Sequence, residues 1–225
     1  MRRWLVAGAV AGLLTAGIVL IGRSSLLRVR TVDVTGGNRQ GVAAISAAAA
    51  VPAGAPMWTL DVAAVRRRVA ALPRVRTVTV IRNWPTTVLI KITERQPVAV
   101  VTVPAGAPVV VDSAAAEIER VPAPPVGLLP IALTATGLAD TQQARRPLVT
   151  AALAVAAALP AQIRSRVALV RLSSGEQVEL VFADGTVIRW GSAAESERKA
   201  AVLTALLRTP YQMYDVRAPE SPAVR

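Results

Sequence analysis

"IRNWPTTVLIKITERQPVAVV", residues 81–101, decides how the first half of the chain folds. Val88, Ile90 and Ile92 occupy alternate positions with Lys91 and Thr93 between them, the period of a half-buried strand. Just upstream, "VRTVTVIR" (75–82) alternates in the same way and sets Val78 and Val80 on one face. Asn-Trp-Pro-Thr separates the two runs. Pro85 fixes its own φ, biases Trp84 toward extended geometry and donates no hydrogen bond, so the strand ladder must pause there. The stretch therefore predicts an antiparallel hairpin about a Trp-Pro corner, and none of its residues has a catalytic signature.

Further upstream, "VRTVDVTGG" (29–37) predicts a short strand ending in a Gly-Gly turn, and the Ala-rich "RQGVAAISAAAAV" (39–51) a helix. A Pro/Gly-containing break follows. Asp61 can N-cap a second helix, in which Val62, Val65, Val69 and Leu72 share a face and Arg66, Arg67 and Arg68 form a solvated side; Pro73 stops it. The order is β-α-α-β-β, with two helices on one face of a three-stranded sheet, over residues 28–95.

Before this domain lie 19 uncharged residues, Trp4 to Gly22, between Arg3 and Arg23. That length spans a hydrocarbon core, and no small-x-small cleavage site follows, so the segment predicts a retained signal anchor behind a three-residue cytoplasmic tail, Met1–Arg3. Arginines flank both ends, and charge alone does not orient it.

Composition narrows the chemistry. The chain of 225 residues contains neither Cys nor His, which removes disulfides, thiol nucleophiles, zinc clusters and the usual general base near neutral pH. The acidic residues are scattered over turns, caps and exposed strand positions. The sequence thus predicts no enzyme, no cofactor, no metal and no small-molecule substrate. The net charge is +12, but aromatic residues are few and ungrouped, which argues against nucleic acid.

Residues 96–217 predict a second, strand-rich domain. Strand "VAVVTV" (98–103) begins after Pro97, and a hairpin covers 109–121. After the Pro-rich "PAPPVGLLP" (122–130), a helix runs at least from Pro147 to Pro160. Strands follow at 166–174 and within 176–191, where Asp184-Gly185 reads as a two-residue hairpin turn. Ser192 is the candidate cap of a helix over 192–208 whose apolar face is Val202, Leu203, Leu206 and Leu207. The last strand is "YQMYDVR" (211–217), and 218–225 reads as a disordered tail.

The β-α-α-β-β order resembles a POTRA domain. Leu72-Pro73-x-Val75, Arg82-x-Trp84-Pro85, Ile90-x-Ile92 and Glu94-Arg95-x-Pro97-Val98-Ala99 resemble the signature of the FtsQ/DivIB family of bacterial division proteins. Val181, Asp184, Gly185, Lys199 and "YDVRAP" are similar to that family's β-domain. The resemblance implies an α+β fold: a single N-terminal transmembrane helix, a POTRA domain, then a mostly antiparallel β-domain with flanking helices. It implies a non-catalytic bitopic scaffold of the divisome, held in the plasma membrane at the septum with its C-terminal domains outside the cytoplasm. FtsB/DivIC-like and FtsL-like division proteins would be its partners. They would pair with an exposed edge strand at Tyr211, Gln212, Met213, Tyr214, Asp215 and Val216, supported by Lys199 and Leu203 of the preceding helix. Arg82, Trp84, Pro85, Glu94, Arg95 and Pro97 are the structural signature. The competing reading is a POTRA-type docking component of protein transport or outer-membrane assembly, although no second POTRA unit or run of barrel strands is visible in the sequence.

Overall fold

The computed structural model describes Gly12 and residues 25–104, 106–134 and 141–225. Apart from Gly12, the expected anchor at 4–22 lies outside the described residues, among which no helix is long and apolar enough to cross a membrane. The chain divides into two compact units, residues 1–95 and 96–225.

In the first unit β1 (Thr31–Thr35), α1 (Val42–Ala49), α2 (Val62–Ala70), β2 (Val75–Asn83) and β3 (Thr87–Glu94) follow one another in the expected order. The sheet order is β1-β3-β2, with β1 parallel and β2 antiparallel to β3. Val88, Ile90 and Ile92 of the central strand pack with Ile45, Ala49, Val65 and Val69 of the two helices. The Trp84–Pro85 peptide at the corner is cis. Asp61 caps α2 as expected, accepting the Ala64 N–H at 2.9 Å.

The charged signature residues act as staples. The Glu94 carboxylate accepts the N–H groups of Arg39 (2.9 Å) and Gln40 (2.7 Å), fixing the turn into α1. Arg95 donates Nε to the Pro73 carbonyl (3.1 Å) and its N–H to the Arg74 carbonyl (2.8 Å), pinning the entry to β2. Arg82 reaches the Leu60 carbonyl at 2.6 Å. Arg66, Arg67 and Arg68 are exposed as expected, and the Arg68 guanidinium also donates to the Ala49 carbonyl at 2.6 and 3.1 Å. It thereby satisfies an acceptor that the end of α1 leaves orphaned.

The second unit holds a nine-stranded sheet in the order β12-β11-β10-β9-β8-β7-β4-β5-β6. Its strands are β4 (Pro97–Thr102), β5 (Val109–Asp112), β6 (Glu117–Arg120), β7 (Leu129–Leu133), β8 (Val167–Ser174), β9 (Gln177–Phe182), β10 (Val187–Gly191), β11 (Met213–Asp215) and β12 (Ala223–Val224). Helices α3 (Gln142–Ala158), the short α4 (Ala161–Arg164) and α5 (Ser196–Leu206) complete it. The sheet is mixed. The pairs β4–β7, β7–β8 and β10–β11 are parallel, because a hairpin or a helix intervenes between each pair and provides the crossover that parallel pairing needs. Leu148, Val149, Ala152 and Val155 of α3 and Leu203 of α5 share one core with Ile131, Val170, Leu172, Leu180, Ile188 and Trp190 of the strands.

Two local expectations are corrected, and one, the start of α3, is extended. Helix α3 begins at Gln142 and takes Pro147 inside it. Its first turn is held by Thr141, which accepts the Ala144 N–H at 3.2 Å, and by an ion pair from the buried Arg145 to Glu117 of β6. These contacts offset the one helical bond that Pro147 cannot make. The Asp184-Gly185 turn is a three-residue loop, not a two-residue one. Gly185 N–H donates to the Phe182 carbonyl (3.0 Å), Phe182 N–H donates to that of Thr186 (2.9 Å), and Gly185 sits at φ 88°. This is a type I turn closed by a left-handed glycine. Ser192 does not cap α5. The helix starts at Ser196 after Glu195 at φ 53°, and the Ser192 carbonyl instead accepts Lys199 Nζ at 3.0 Å.

Gly36 and Gly54 are both left-handed, at φ 82° and 74°. A Cβ on Gly36 would stand 2.2 Å from the Ile92 carbonyl oxygen, whereas one on Gly54 meets nothing within 4 Å. Gly54→Ala should therefore lose about 1 to 2 kcal/mol of stability from the backbone alone. Gly36→Ala should lose clearly more, because β3 must shift as well. Urea-unfolding midpoints of the two variants compare them directly; equal losses would contradict the close approach.

Candidate protein-docking edge

The end of the large sheet opposite β6 is built by β10, α5 and the segment 207–225. Helix α5 returns the chain so that β11 lies parallel to β10, with Val187 opposite Met213, Ile188 opposite Tyr214 and Arg189 opposite Asp215. The Val187 N–H donates to the Gln212 carbonyl and the Val216 N–H to that of Arg189, each at 3.0 Å. Side chains alternate along the strand. Tyr214 and Val216 are buried, Met213 and Asp215 half-buried, and Tyr211 and Gln212 exposed.

The eight residues expected to bind a partner thus have different roles. Tyr214 is a core residue: its hydroxyl donates to the Thr209 carbonyl at 2.7 Å and accepts the Tyr211 N–H at 2.9 Å. The Tyr211 ring stands edge-on to it, centroids 6.0 Å apart. Val216 and Leu203 are fully buried. Lys199 is 3% exposed, and burial lowers the pKa of its ammonium, which is bonded to the Ser192 carbonyl. These four side chains hold the edge in place and offer no contact surface. Tyr211, Gln212, Met213 and Asp215 remain at the surface.

The backbone of that edge is occupied. The segment expected to be disordered folds back as β12, antiparallel to β11, with Tyr214 opposite Val224 and Asp215 opposite Ala223. The N–H groups of Gln212 and Met213 both donate to the Arg225 carbonyl, at 3.0 and 2.9 Å, and the Arg225 N–H donates to the Met213 carbonyl at 3.0 Å. A groove of about 480 Å³ runs beside this clasp, lined by Asp184, Thr186, Val187, Gln212, Met213 and Arg225. Ala223 and Arg225 were not legible as site residues. Their side chains carry no signal, and they contribute only main chain.

The solvent face near the edge is a ladder of charges across β8, β9, β10 and the end of β11. Arg171 meets Glu179 at 3.2 Å, Arg189 meets Glu179 at 3.8 Å, and Arg217 chelates Asp215 through Nε and Nη2. The Arg217 guanidinium beside Asp215 holds its carboxyl below the usual carboxylate range.

Residues 27–95 match the family model "POTRA domain, FtsQ-type", and residues 99–217 match "Cell division protein FtsQ/DivIB, C-terminal". The chain belongs to the FtsQ/DivIB family of cell division proteins. It is 34% identical to the cell division protein FtsQ of Streptomyces collinus, over 99% of this chain and 88% of that protein. It is 36% identical to FtsQ of Streptomyces griseus, over 89% of this chain and 98% of that one. With FtsQ of Mycolicibacterium smegmatis it shares 34% identity over 97% of this chain and 63% of the relative. This FtsQ/DivIB family member therefore acts in cell division, with an FtsQ-type POTRA domain followed by the family's C-terminal β-domain.

Tyr214→Phe should destabilise the second unit by about 1 to 3 kcal/mol, because the Thr209 carbonyl loses its donor in a part-buried site. Thermal unfolding followed by circular dichroism measures it, and an unchanged midpoint would contradict the core role of the hydroxyl. For Asp215 the folded pKa is depressed. Its contribution is therefore present above the unfolded carboxylate value of about 4 and lost only as pH falls through the lower folded value. NMR titration of the Asp215 carboxyl downward from pH 6 should place its midpoint below the unfolded value of about 4, and a midpoint at or above that value would contradict the Arg217 pairing.

Proposed function

We propose that this chain is a non-catalytic bitopic scaffold of the divisome that captures an extended segment of a partner by adding it as a strand to the edge of β11. The partners in this reading are FtsB/DivIC-type and FtsL-type division proteins. Residues 4–22 anchor the chain in the plasma membrane, the two units lie outside the cytoplasm at the septum, and the POTRA unit meets other membrane division proteins.

One observation carries the docking reading. The outward N–H groups of Gln212 and Met213 are satisfied by Arg225, next to a strand of only two residues. The clasp is only this short strand and the main chain of Arg225, so it makes fewer bonds to the edge than a longer strand would. A longer strand from a partner replaces the pairing of Met213 to Asp215 and continues past it to Arg217. Main-chain bonds then supply affinity, while Tyr211, Met213 and Asp215 select the side chains opposite. In this reading β12 is a placeholder. It covers an edge that would otherwise pair indiscriminately, and it yields to the correct strand.

The test is capture of division proteins by crosslinking from the native membrane, with three forms of the full chain. Deleting residues 218–225 should raise capture of small single-pass division proteins, because the edge no longer has to be vacated. Met213→Pro removes one outward donor and should lower capture while the unit stays folded. Capture unchanged in both folded variants, or a channel or barrel protein in place of division proteins, would contradict the reading.

A further inference from the structure

The end of the POTRA sheet that bears the Trp-Pro corner is also the end at which the chain enters it. Strand β1 is parallel to β3, and Thr31 lies opposite Thr87, so both strands start at one end of the sheet. The β2–β3 corner is therefore held against the entering chain: the N–H groups of Arg30 and Thr31 donate to the Thr86 carbonyl at 2.9 and 3.3 Å. A third segment joins them. Met57 N–H donates to the Leu27 carbonyl (2.9 Å), Val29 N–H to that of Ala55 (2.9 Å), and Arg28 Nη1 to that of Gly54 (3.0 Å). Arg82 ties the corner to the same segment through the Leu60 carbonyl.

The segments of this knot each expose a large apolar side chain. Leu26 is 67% exposed, Trp58 55% and Trp84 52%. The three stretches 24–30, 54–60 and 82–87 contain Arg28, Arg30 and Arg82 and no acidic residue. The acidic residues nearest in sequence are Asp33, three residues after Arg30, and Asp61, which caps α2. Tryptophan is the side chain that settles where hydrocarbon meets headgroups, and arginine beside it meets phosphate.

Chain length supplies the occupant. Leu26 is four residues from Gly22, at most about 14 Å of extended chain. From these observations we infer that this end of the POTRA unit is a membrane-interface foot. Leu26, Trp58 and Trp84 seat in the headgroup layer of the bilayer that holds residues 4–22, with Arg28 and Arg30 at the lipid phosphates. The inference rests on the reading of 4–22 as a membrane span. It gives the exposed faces of Trp58 and Trp84 a role.

The test uses the full chain in vesicles of phosphatidylcholine and phosphatidylglycerol, with tryptophan emission read against lipids brominated just below the glycerol. In a Trp4→Phe chain the reporters are Trp58, Trp84 and the buried Trp190. Its emission should be blue-shifted and quenched by the brominated lipid. Adding Trp58→Phe and Trp84→Phe should abolish the quenched component. Equal quenching in the two chains overturns the foot. The chain that retains Trp4 separates the two readings. If it floats with the vesicles and Trp4 is quenched while Trp58 and Trp84 are not, the span stands and only the foot falls. If it does not float, the span and the foot fall together.

Discussion

A backbone N–H that leaves a sheet must find an acceptor, and at the end of the large sheet this requirement governs everything around it. Strand β11 has its inner partners in β10, and its outer donors at Gln212 and Met213 have the Arg225 carbonyl. Tyr214 and Val216 lock the strand into the core from one face, and the Tyr214 hydroxyl ties down the loop that leads into it. Helix α5 with its buried Lys199 sets the crossover that makes β11 parallel to β10. The edge is thus rigid on its inner side and held by few bonds on its outer side, the combination that strand addition requires.

The same economy of main-chain satisfaction organises the POTRA unit. Arg82, Glu94, Arg95 and Arg68 are all charged, and each is spent on backbone groups of a neighbouring segment. A hydrogen bond between a charged side chain and a main-chain group is stronger than a neutral one. Four such staples fix two short helices against a three-stranded sheet that is too small to be rigid through its apolar core alone. The charges at the junction of strands are therefore structural, and the proposed foot gives the exposed faces of Trp58 and Trp84 to the lipid headgroups.

Much of this was legible in the sequence, for reasons that differ by element. The period-2 runs at 75–82 and 87–94, the Pro85 corner and the Asp61 cap rest on local geometry, and all of them stand in the structure. Helix α3 hid its first turn because "TQQARR" looks like loop; what makes it helical is a cap and the long-range Arg145–Glu117 pair. The Asp184-Gly185 turn was legible as a turn but not in its length, since both two- and three-residue hairpins accept a left-handed glycine. Tyr211–Val216 was recognisable as a final strand, yet the inward direction of Tyr214 and Val216 depends on the register with β10, which sequence alone does not show. β12 was the least visible element. "APESPAVR" has no strand periodicity, and main-chain pairing with β11 orders Ala223 to Arg225.

The chain has no native cysteine, so an engineered pair can lock the clasp cleanly. Asp215 and Ala223 are register partners across β11 and β12. The most direct measurement is division-protein capture by the full chain carrying Asp215→Cys and Ala223→Cys, oxidised and reduced. If strand exchange at this edge is how the partner docks, the oxidised form fails to capture and reduction restores capture in the same preparation. Capture equal in the oxidised and reduced forms and undiminished from that of the unaltered chain, with the disulfide verified by mass, would show that the partner binds elsewhere and that β12 is only the last strand of the fold.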